Sequence, residues 1–335
     1  MDSLTQVVLG AAVAEAAIGR TVGRRAAVYG AALGTLPDLD VFVSFGGVIE
    51  DFVYHRGVSH SLLVLTLLSP LLAWLIHRRH AAPHASYRHW LLAVWLVLIT
   101  HPLLDVFTIY GTQLWWPLTD YPYGVGSVFI IDPLFTVPMA LGLLAALLMN
   151  RRRRLGGVMN ATGMFFGAGY LAFGLSAQAH VHSFARDSLQ QQGVVYEHLQ
   201  VLAAPFTSMA WRVVVVGDDE YFVAYHSLLA PAGQLRLTRY EREPKLLNAL
   251  ADETSVRHLR RFTKGMFTVS GQSSQITVSD LRMGLEPNRY AFTFVVGAKR
   301  GDAVAAVPVR RIQPARIRDG DWSRLISMLR GAPNL

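Results

Sequence analysis

Cysteine is absent from all 335 residues. Disulfides and thiolate metal sites are therefore excluded, and any protein metal ligands must be imidazole, carboxylate or amide groups. Charge is scarce: Asp, Glu, Lys and Arg make up 16% of the chain against 52% hydrophobic residues, an apolar balance for a soluble protein of this length. A basic region ahead of the first apolar segment is also missing. The chain opens Met1-Asp2, so no cleavable signal peptide is expected and the first apolar segment should be retained. There is no Gly-rich phosphate loop, no Gly-x-Ser-x-Gly elbow and no His-Glu-x-x-His helix, which sets aside the serine-hydrolase and zincin chemistries those motifs carry.

What is present is divided unevenly. Residues 1–178 hold 11 Lys+Arg and 9 Asp+Glu, and the remainder holds 20 and 14. The net charge of +8 does not indicate nucleic acid, because the arginines sit in short loops between apolar runs (Arg24-Arg25, Arg78-Arg79, Arg151 to Arg154). Such clusters flank membrane helices on the cytoplasmic side. A bilayer core needs roughly 20 apolar residues as helix; the candidates are 4–19, 26–43, 60–77, 89–107, 130–149 and 156–177, the first being the weakest. With loops 20–25, 78–88 and 150–155 cytoplasmic, loops 44–59 and 108–129 face outward, the latter with Trp115, Trp116, Tyr121 and Tyr123 as an aromatic belt.

After residue 178 the pattern changes. Trp211–Val216, Tyr221–Leu229, Phe267–Ser270, Gln275–Val278 and Tyr290–Val296 are short β-branched and aromatic runs, with turn signals at Gly217-Asp218-Asp219 and Glu286-Pro287-Asn288. Segments 245–262 and 321–330 read as helices. The expected architecture is an α-helical integral membrane bundle of five to six transmembrane helices over 1–178. An extracytoplasmic, mainly-β (α+β) domain follows over 179–335.

Ionisable residues gather at the outward ends of the apolar runs. Asp38 and Asp40 lie in Leu36-Pro37-Asp38-Leu39-Asp40, where extended backbone would turn both carboxylates to one side. His55 and His60 lie in His55-Arg56-Gly57-Val58-Ser59-His60-Ser61, where Gly57 permits a tight bend and Ser59 is the expected N-cap. His101 and Asp105 are one helical turn apart in His101-Pro102-Leu103-Leu104-Asp105. Carboxylates and imidazoles at one membrane face are a site by default, and His with Asp is the ligand set of a hydrolytic metal centre. The expected metal ligands are Asp38, Asp40, His55, His60, His101 and Asp105, holding divalent metal, zinc first and manganese second. Arg56 would stabilise developing negative charge and a carboxylate such as Asp40 would act as base. A membrane-surface location implies a lipid or lipid-linked substrate. Asp132 is a further acid near the site, whereas His180 and His182 read as interfacial, and His77, His80, His84 and His89 as solvated on the opposite face.

The opening Met-Asp-x-x-Thr, Pro37-Asp38-Leu39-Asp40, His55-Arg56-Gly57-x-x-His60-Ser61 and His101-Pro102-x-x-Asp105 together resemble the YdjM-like membrane-bound metal-dependent hydrolases, over roughly residues 1–150. The resemblance implies an inner-membrane protein and a metal-dependent hydrolase. One departure stands out: this chain has Thr5-Gln6 where the family usually reads Thr-His, and a glutamine carbonyl is a poorer zinc ligand than imidazole. The competing readings are a non-catalytic binding or scaffold protein with a degenerate metal site, and a transporter using the same residues as an ion site.

Overall fold

A computed structural model describes residues 1–80, 85–149, 154–229, 233–271, 274–285, 289–301 and 303–313. The chain divides into two compact units. The first comprises Met1–Val43, Tyr54–Gly174 and Pro205–Thr207; the second comprises Ser44–Val53, Leu175–Ala204 and the chain from Ser208 onward.

The first unit is built from helical hairpins. Helices α1 (Ser3–Val22) and α2 (Arg25–Thr35) lie antiparallel along a seam of small residues. A Cβ on Gly30 would stand 2.2 Å from the Gly10 carbonyl oxygen, and one on Gly34 2.6 Å from that of Gln6. Glycine alone lets the two backbones approach this closely. Helices α4 (Leu62–Arg79) and α5 (Tyr87–Val106) pair through Trp95 Nε1 to Thr66 Oγ1 at 3.1 Å and the Tyr87 hydroxyl to the Pro70 carbonyl at 3.2 Å. Helices α6 (Pro133–Leu148) and α7 (Leu155–Gln191) meet where a Cβ on Gly163 would lie 2.7 Å from the Pro138 oxygen. One apolar cluster joins α1, α2, α4 and α5, and a second joins α1, α2 and α5 with α6 and α7. Helices α1, α2 and α5 thus contribute to both clusters.

The span expected at 26–43 does not form as one helix. Helix α2 has 11 residues and rises about 16 Å, short of a hydrocarbon core about 30 Å thick. Pro37 then opens a 3-10 turn, Pro37–Phe42. Among the described residues, three helices are long and apolar enough to cross a membrane (α4, α5 and α7), and α6 with 16 residues is shorter. The expected boundary at residue 178 lies inside a helix rather than in a linker. Helix α7 continues for 37 residues to Gln191, about 55 Å at the helical rise, and the division between units falls at Gly174 and Leu175.

The second unit contains two four-stranded antiparallel sheets, in the orders β1-β2-β3-β4 and β10-β9-β6-β5. The first comprises β1 (His198–Ala203), β2 (Ala210–Val216), β3 (Glu220–Ser227) and β4 (Thr238–Glu241). The second comprises β5 (Phe267–Ser270), β6 (Gln275–Asp280), β9 (Thr293–Arg300) and β10 (Ala303–Ile312), with β7 (Gly284–Leu285) and β8 (Arg289–Tyr290) forming a two-stranded ribbon. One face of α7, with Ala177, Val181, Ala185 and Leu189 four residues apart, packs on Trp211, Val213 and Val215 of β2. The helix expected over 245–262 is a 3-10 turn, Pro244–Leu250, followed by α8 (Thr254–Thr263). Its apolar Val256, Leu259 and Phe262 fall on one buried face. The helix expected at 321–330, the turn signal at 286–288 and the arginines 151–153 lie outside the described residues. Residues Val48–Tyr54 form a short helix, α3.

Candidate metal centre

Three segments of the first unit bring the site together: the 3-10 turn after α2, the turn Val58–His60 before α4, and the last turns of α5. Asp38, His60, His101 and Asp105 each offer one ligand atom, and these atoms all lie within 4.8 Å of one another. The His60 and His101 Nε2 atoms are 3.2 Å apart. Asp38 Oδ1 is 3.4 Å from each of them, and Asp105 Oδ2 is 3.4 Å from His60 Nε2 and 3.6 Å from His101 Nε2. Ligands bound to tetrahedral zinc at about 2.0–2.1 Å are separated from each other by about 3.3–3.4 Å, which these distances resemble.

The outer hydrogen bonds fix which lone pairs point inward. His101 Nδ1 lies 2.6 Å from the Gly34 carbonyl oxygen, which can only accept, so Nδ1 carries the proton and Nε2 is left as an acceptor. The Gly34 oxygen reaches the ring because α2 ends beside α1 on the glycine seam. Ser59 Oγ donates to Asp40 Oδ2 at 2.6 Å and lies 2.9 Å from His60 Nδ1, so His60 also donates through Nδ1 and presents Nε2 inward. Four acceptors thus converge with no donor among them. Asp105 is fully buried, and its Oδ2 is ion-paired with Arg56 Nε at 3.2 Å. A ring of two carboxylate oxygens and two imidazole nitrogens fits a divalent cation, because these are donors such an ion takes and they lie at ligand–ligand separations.

Asp105 is the most heavily engaged member. Its Oδ1 forms an ion pair with the Met1 amino group and accepts from Gln6 Nε2 at 3.0 Å. Arg56 Nε is 3.2 Å from Oδ2, and the Arg56 guanidinium also donates to Thr108 Oγ1 at 3.2 Å and lies over the Tyr110 ring. Arg56 adopts φ 65°, a left-handed conformation unusual for a side chain with a Cβ. Its backbone N–H donates to Asp40 Oδ2 at 3.0 Å, which helps to hold that conformation. At Gly57 a Cβ would lie 2.8 Å from the Tyr54 oxygen, so the bend after Arg56 needs glycine.

The two carboxylates of Pro37–Phe42 do not face the same way, because the backbone is 3-10 rather than extended. Asp38 faces His60 and His101. Asp40 instead collects His55 Nδ1 at 2.8 Å, the Arg56 N–H and Ser59 Oγ. Asp40 and His55 therefore pair with each other beside the ring of four. The N-cap of α4 is Ser61, which accepts from Val64 N, and not Ser59, because the turn at Val58–His60 delays the helix by two residues. Asp132 caps α6, accepting from Leu134 N at 3.0 Å and the Tyr170 hydroxyl at 2.8 Å, so its carboxylate is used in packing. His180 and His182 lie within α7, and His84 falls outside the described residues. Thr108, Tyr110 and the Gly34 carbonyl are site components without a motif of their own in the sequence, and Ser59, expected as an N-cap, serves Asp40 and His60 instead. The small-residue pair Gly30 and Gly34, four residues apart, was the available signal for the Gly34 carbonyl.

A family model described as YdjM inner membrane protein matches residues 1–181, the stretch that contributes every residue of the ring. The chain is also 28% identical over 143 residues to a Bacillus subtilis (strain 168) protein named "Uncharacterized protein YfhP". That match covers 40% of this chain and 42% of the relative, so it spans less than half of either protein. No solved structure matches. With more than half of its length matched by that family model, the chain belongs to the YdjM inner membrane protein family.

Proposed function

We propose that the protein is an inner-membrane metal-dependent hydrolase that cleaves a phosphoester or related bond in a lipid or lipid-linked substrate. The observation that carries this reading is the acceptor-only ring of Asp38, His60, His101 and Asp105 with the buried Arg56 beside it. Zinc suits two imidazoles and two carboxylates at these separations, with manganese as the second choice. A divalent ion in such a ligand set acidifies water and polarises a phosphoryl or carbonyl oxygen. The protein's own groups do the rest. Ser59 and the Gly34 carbonyl hold both imidazoles in the ligating tautomer, and Asp40 with His55 is the nearby base pair. Arg56 offers its guanidinium to charge developing on the substrate. The arginine loops 20–25, 78–88 and 150–155 favour a cytoplasmic position for the opposite helix ends, with the site and the β-rich unit extracytoplasmic.

A second reading, binding without turnover, is favoured by Gln6. Its amide donates to Asp105 and to the His101 carbonyl and leaves its own oxygen buried without a partner, where the family usually carries histidine. Elemental analysis of the detergent-purified protein beside His101→Ala tests the metal reading. Near-stoichiometric zinc or manganese that disappears in the variant is expected, and absence of metal in both after reconstitution rules the mechanism out. Turnover of a phosphoester panel by the metal-loaded parent separates the two readings. Retained metal with no hydrolysis, together with hydrolysis gained in Gln6→His, assigns the chain to the second.

A further inference from the structure

Each segment that carries a member of the ring also carries exposed apolar side chains, and these segments all belong to the first unit. Leu39 and Phe42 lie three residues apart on one side of the 3-10 turn that bears Asp38. They are 51% and 84% exposed, and Val41 beside them is exposed as well. Val58 opens the turn that ends at His60, and Leu103 lies between His101 and Asp105 in α5; both are exposed. A further segment is bonded to the same place. Leu62 N donates to the Leu114 carbonyl at 2.9 Å, Ser61 Oγ to the Trp116 carbonyl at 2.6 Å and Gln113 N to the Arg56 carbonyl at 3.0 Å. Two residues beyond Trp116, Leu118 is 77% exposed.

Water is a poor medium for such a rim, because soluble surfaces seldom leave neighbouring large apolar side chains uncovered. Charge is missing from it too. Residues 106–119 contain no Asp, Glu, Lys, Arg or His, so that segment offers nothing to attract an acidic or basic protein partner. The ring stands where α4 begins and α5 ends, at one end of two of the three helices long and apolar enough to cross a membrane. That end of the pair falls at a membrane interface. Leu67, Leu71 and Leu75, each four residues from the next, form an exposed apolar stripe along α4. The rim therefore continues a surface already suited to lipid, and it borders a ring of ligands suited to a cation. Apolar contact on one side and a charged centre on the other matches the division of a phospholipid into acyl chains and phosphate.

We propose that this rim is a phospholipid-binding surface, with acyl chains lying on Leu39, Val41, Phe42, Leu103 and Leu118 while the phosphate faces the ring and Arg56. This rests on the metal reading given above, and it narrows the substrate class of that site to a phospholipid taken from within the bilayer. The rim side chains bind the chains and do not touch the reacting atoms. Their contribution is to hold the phosphate in place.

The test uses the full-length protein in vesicles of phosphatidylcholine and phosphatidylglycerol. Two photoreactive probes are compared, a phosphatidylglycerol and a diacylglycerol, each with a diazirine at the same position in one acyl chain. Cross-linked residues are mapped by peptide mass spectrometry, first without metal and then with zinc alone. Before zinc, both probes should mark residues 39–42 and 118 as they mark the α4 stripe at 67–75. Zinc should then raise the phosphatidylglycerol yield at 39–42 and 103 by about fivefold or more, the lower end of usual coupling between two ligands. The diacylglycerol yield and the α4 stripe should not change. Phe42→Ser and Leu118→Ser should each cut that rise, with zinc content still parental; Leu118 is remote in sequence from every ligand. Labelling that spares 39–42 and 118 under both conditions would leave the rim to water or to a protein partner and overturn the proposal. Equal responses of the two probes at full zinc occupancy would also overturn it, making the rim a lipid-facing surface without phospholipid recognition, while the metal centre stands. A parent that binds no zinc removes both.

Discussion

His60 and His101 point their Nε2 atoms at each other across 3.2 Å, while the Nδ1 atom of each is engaged by an acceptor on the outside. Two imidazoles arranged this way cannot hydrogen-bond to each other in their neutral forms. A shared cation makes this juxtaposition favourable, and the two carboxylate oxygens at 3.4–3.6 Å complete the set. The relationship links a local sequence device, a helix–turn–helix entry at His60 and an i, i+4 pair at His101, to the chemistry of the centre.

The two acids of the ring should respond differently to neutralisation. Asp105 is fully buried and pairs with Arg56 and the Met1 amine, so Asp105→Asn leaves buried positive charge unmatched. The expected cost is about 3 kcal/mol or more in unfolding free energy, together with loss of metal. Asp38 is 19% exposed and has no such partner among its contacts, so Asp38→Asn should lose metal with a stability change below about 1 kcal/mol. Denaturant titration in detergent with parallel metal analysis checks both. Equal destabilisation by the two variants would contradict the assignment of Asp105 as the charge hub.

The glycine seam should be as demanding as any ligand. Gly30→Ala drives a Cβ into the Gly10 carbonyl, and overpacking of this kind costs about 1–3 kcal/mol. Because the seam sets the position of the Gly34 carbonyl that holds His101, zinc affinity should fall as well. Gly169→Ala in α7, where a Cβ meets nothing within 4 Å, serves as the comparison and should be neutral or slightly stabilising. Thermal midpoints and zinc titrations of the two variants give the answer directly.

Much of this was legible in the residues, and the parts that were not have physical reasons. The four ring members were all in the expected ligand set, since each interrupts or ends an apolar run where an unpaired polar group is costly. The i, i+4 spacing of His101 and Asp105 is a helix property that the sequence carries unambiguously. Asp38 and Asp40 were harder, because Pro37 is compatible with both extended and 3-10 backbone, and only the latter sends the two carboxylates to different partners. The spans at 26–43 and 156–177 were misjudged in length because hydropathy does not register where a helix stops: Pro37 ended one early, while Ala177, Val181, Ala185 and Leu189 carried the other onto the sheet. Strands β1 and β4 have mixed patterns that lack the apolar run marking β2, and in β10 Pro308 breaks the strand signal of an otherwise apolar stretch. The excursion of residues 44–53 into the second unit had no sequence signal beyond the apolar Ile49, Phe52 and Val53, which read equally well as part of an outward loop.

Arg56 offers a test of mechanism separate from metal binding. Its guanidinium meets Asp105, Thr108 and the Tyr110 ring at once, a planar fork that lysine cannot reproduce. Arg56→Lys keeps the charge near Asp105 and should retain metal. Turnover of a phosphoester substrate should nevertheless drop by about 100-fold, as when one preorganised donor to a developing oxyanion is lost. Steady-state rates measured at matched zinc occupancy decide it: unchanged kcat would restrict Arg56 to charge balance in the fold.

Acid should loosen the second unit through His226. This residue on β3 stacks against Phe184 at 4.5 Å between ring centroids, and burial, then the nearby His180, pushes its imidazole below the ordinary histidine range. The folded state therefore favours the neutral ring, while the unfolded chain takes up a proton near pH 6.5. In that window the unfolded state binds more protons, so stability is full above about pH 6.5 and declines as pH falls below it. His226→Phe removes the titrating group and keeps an aromatic ring against Phe184. Its second-unit stability should lose part of its dependence on pH between about 7 and 5, measured by hydrogen exchange of β2 and β3 peptides. A variant as acid-sensitive as the parent would show that the response originates elsewhere in the unit.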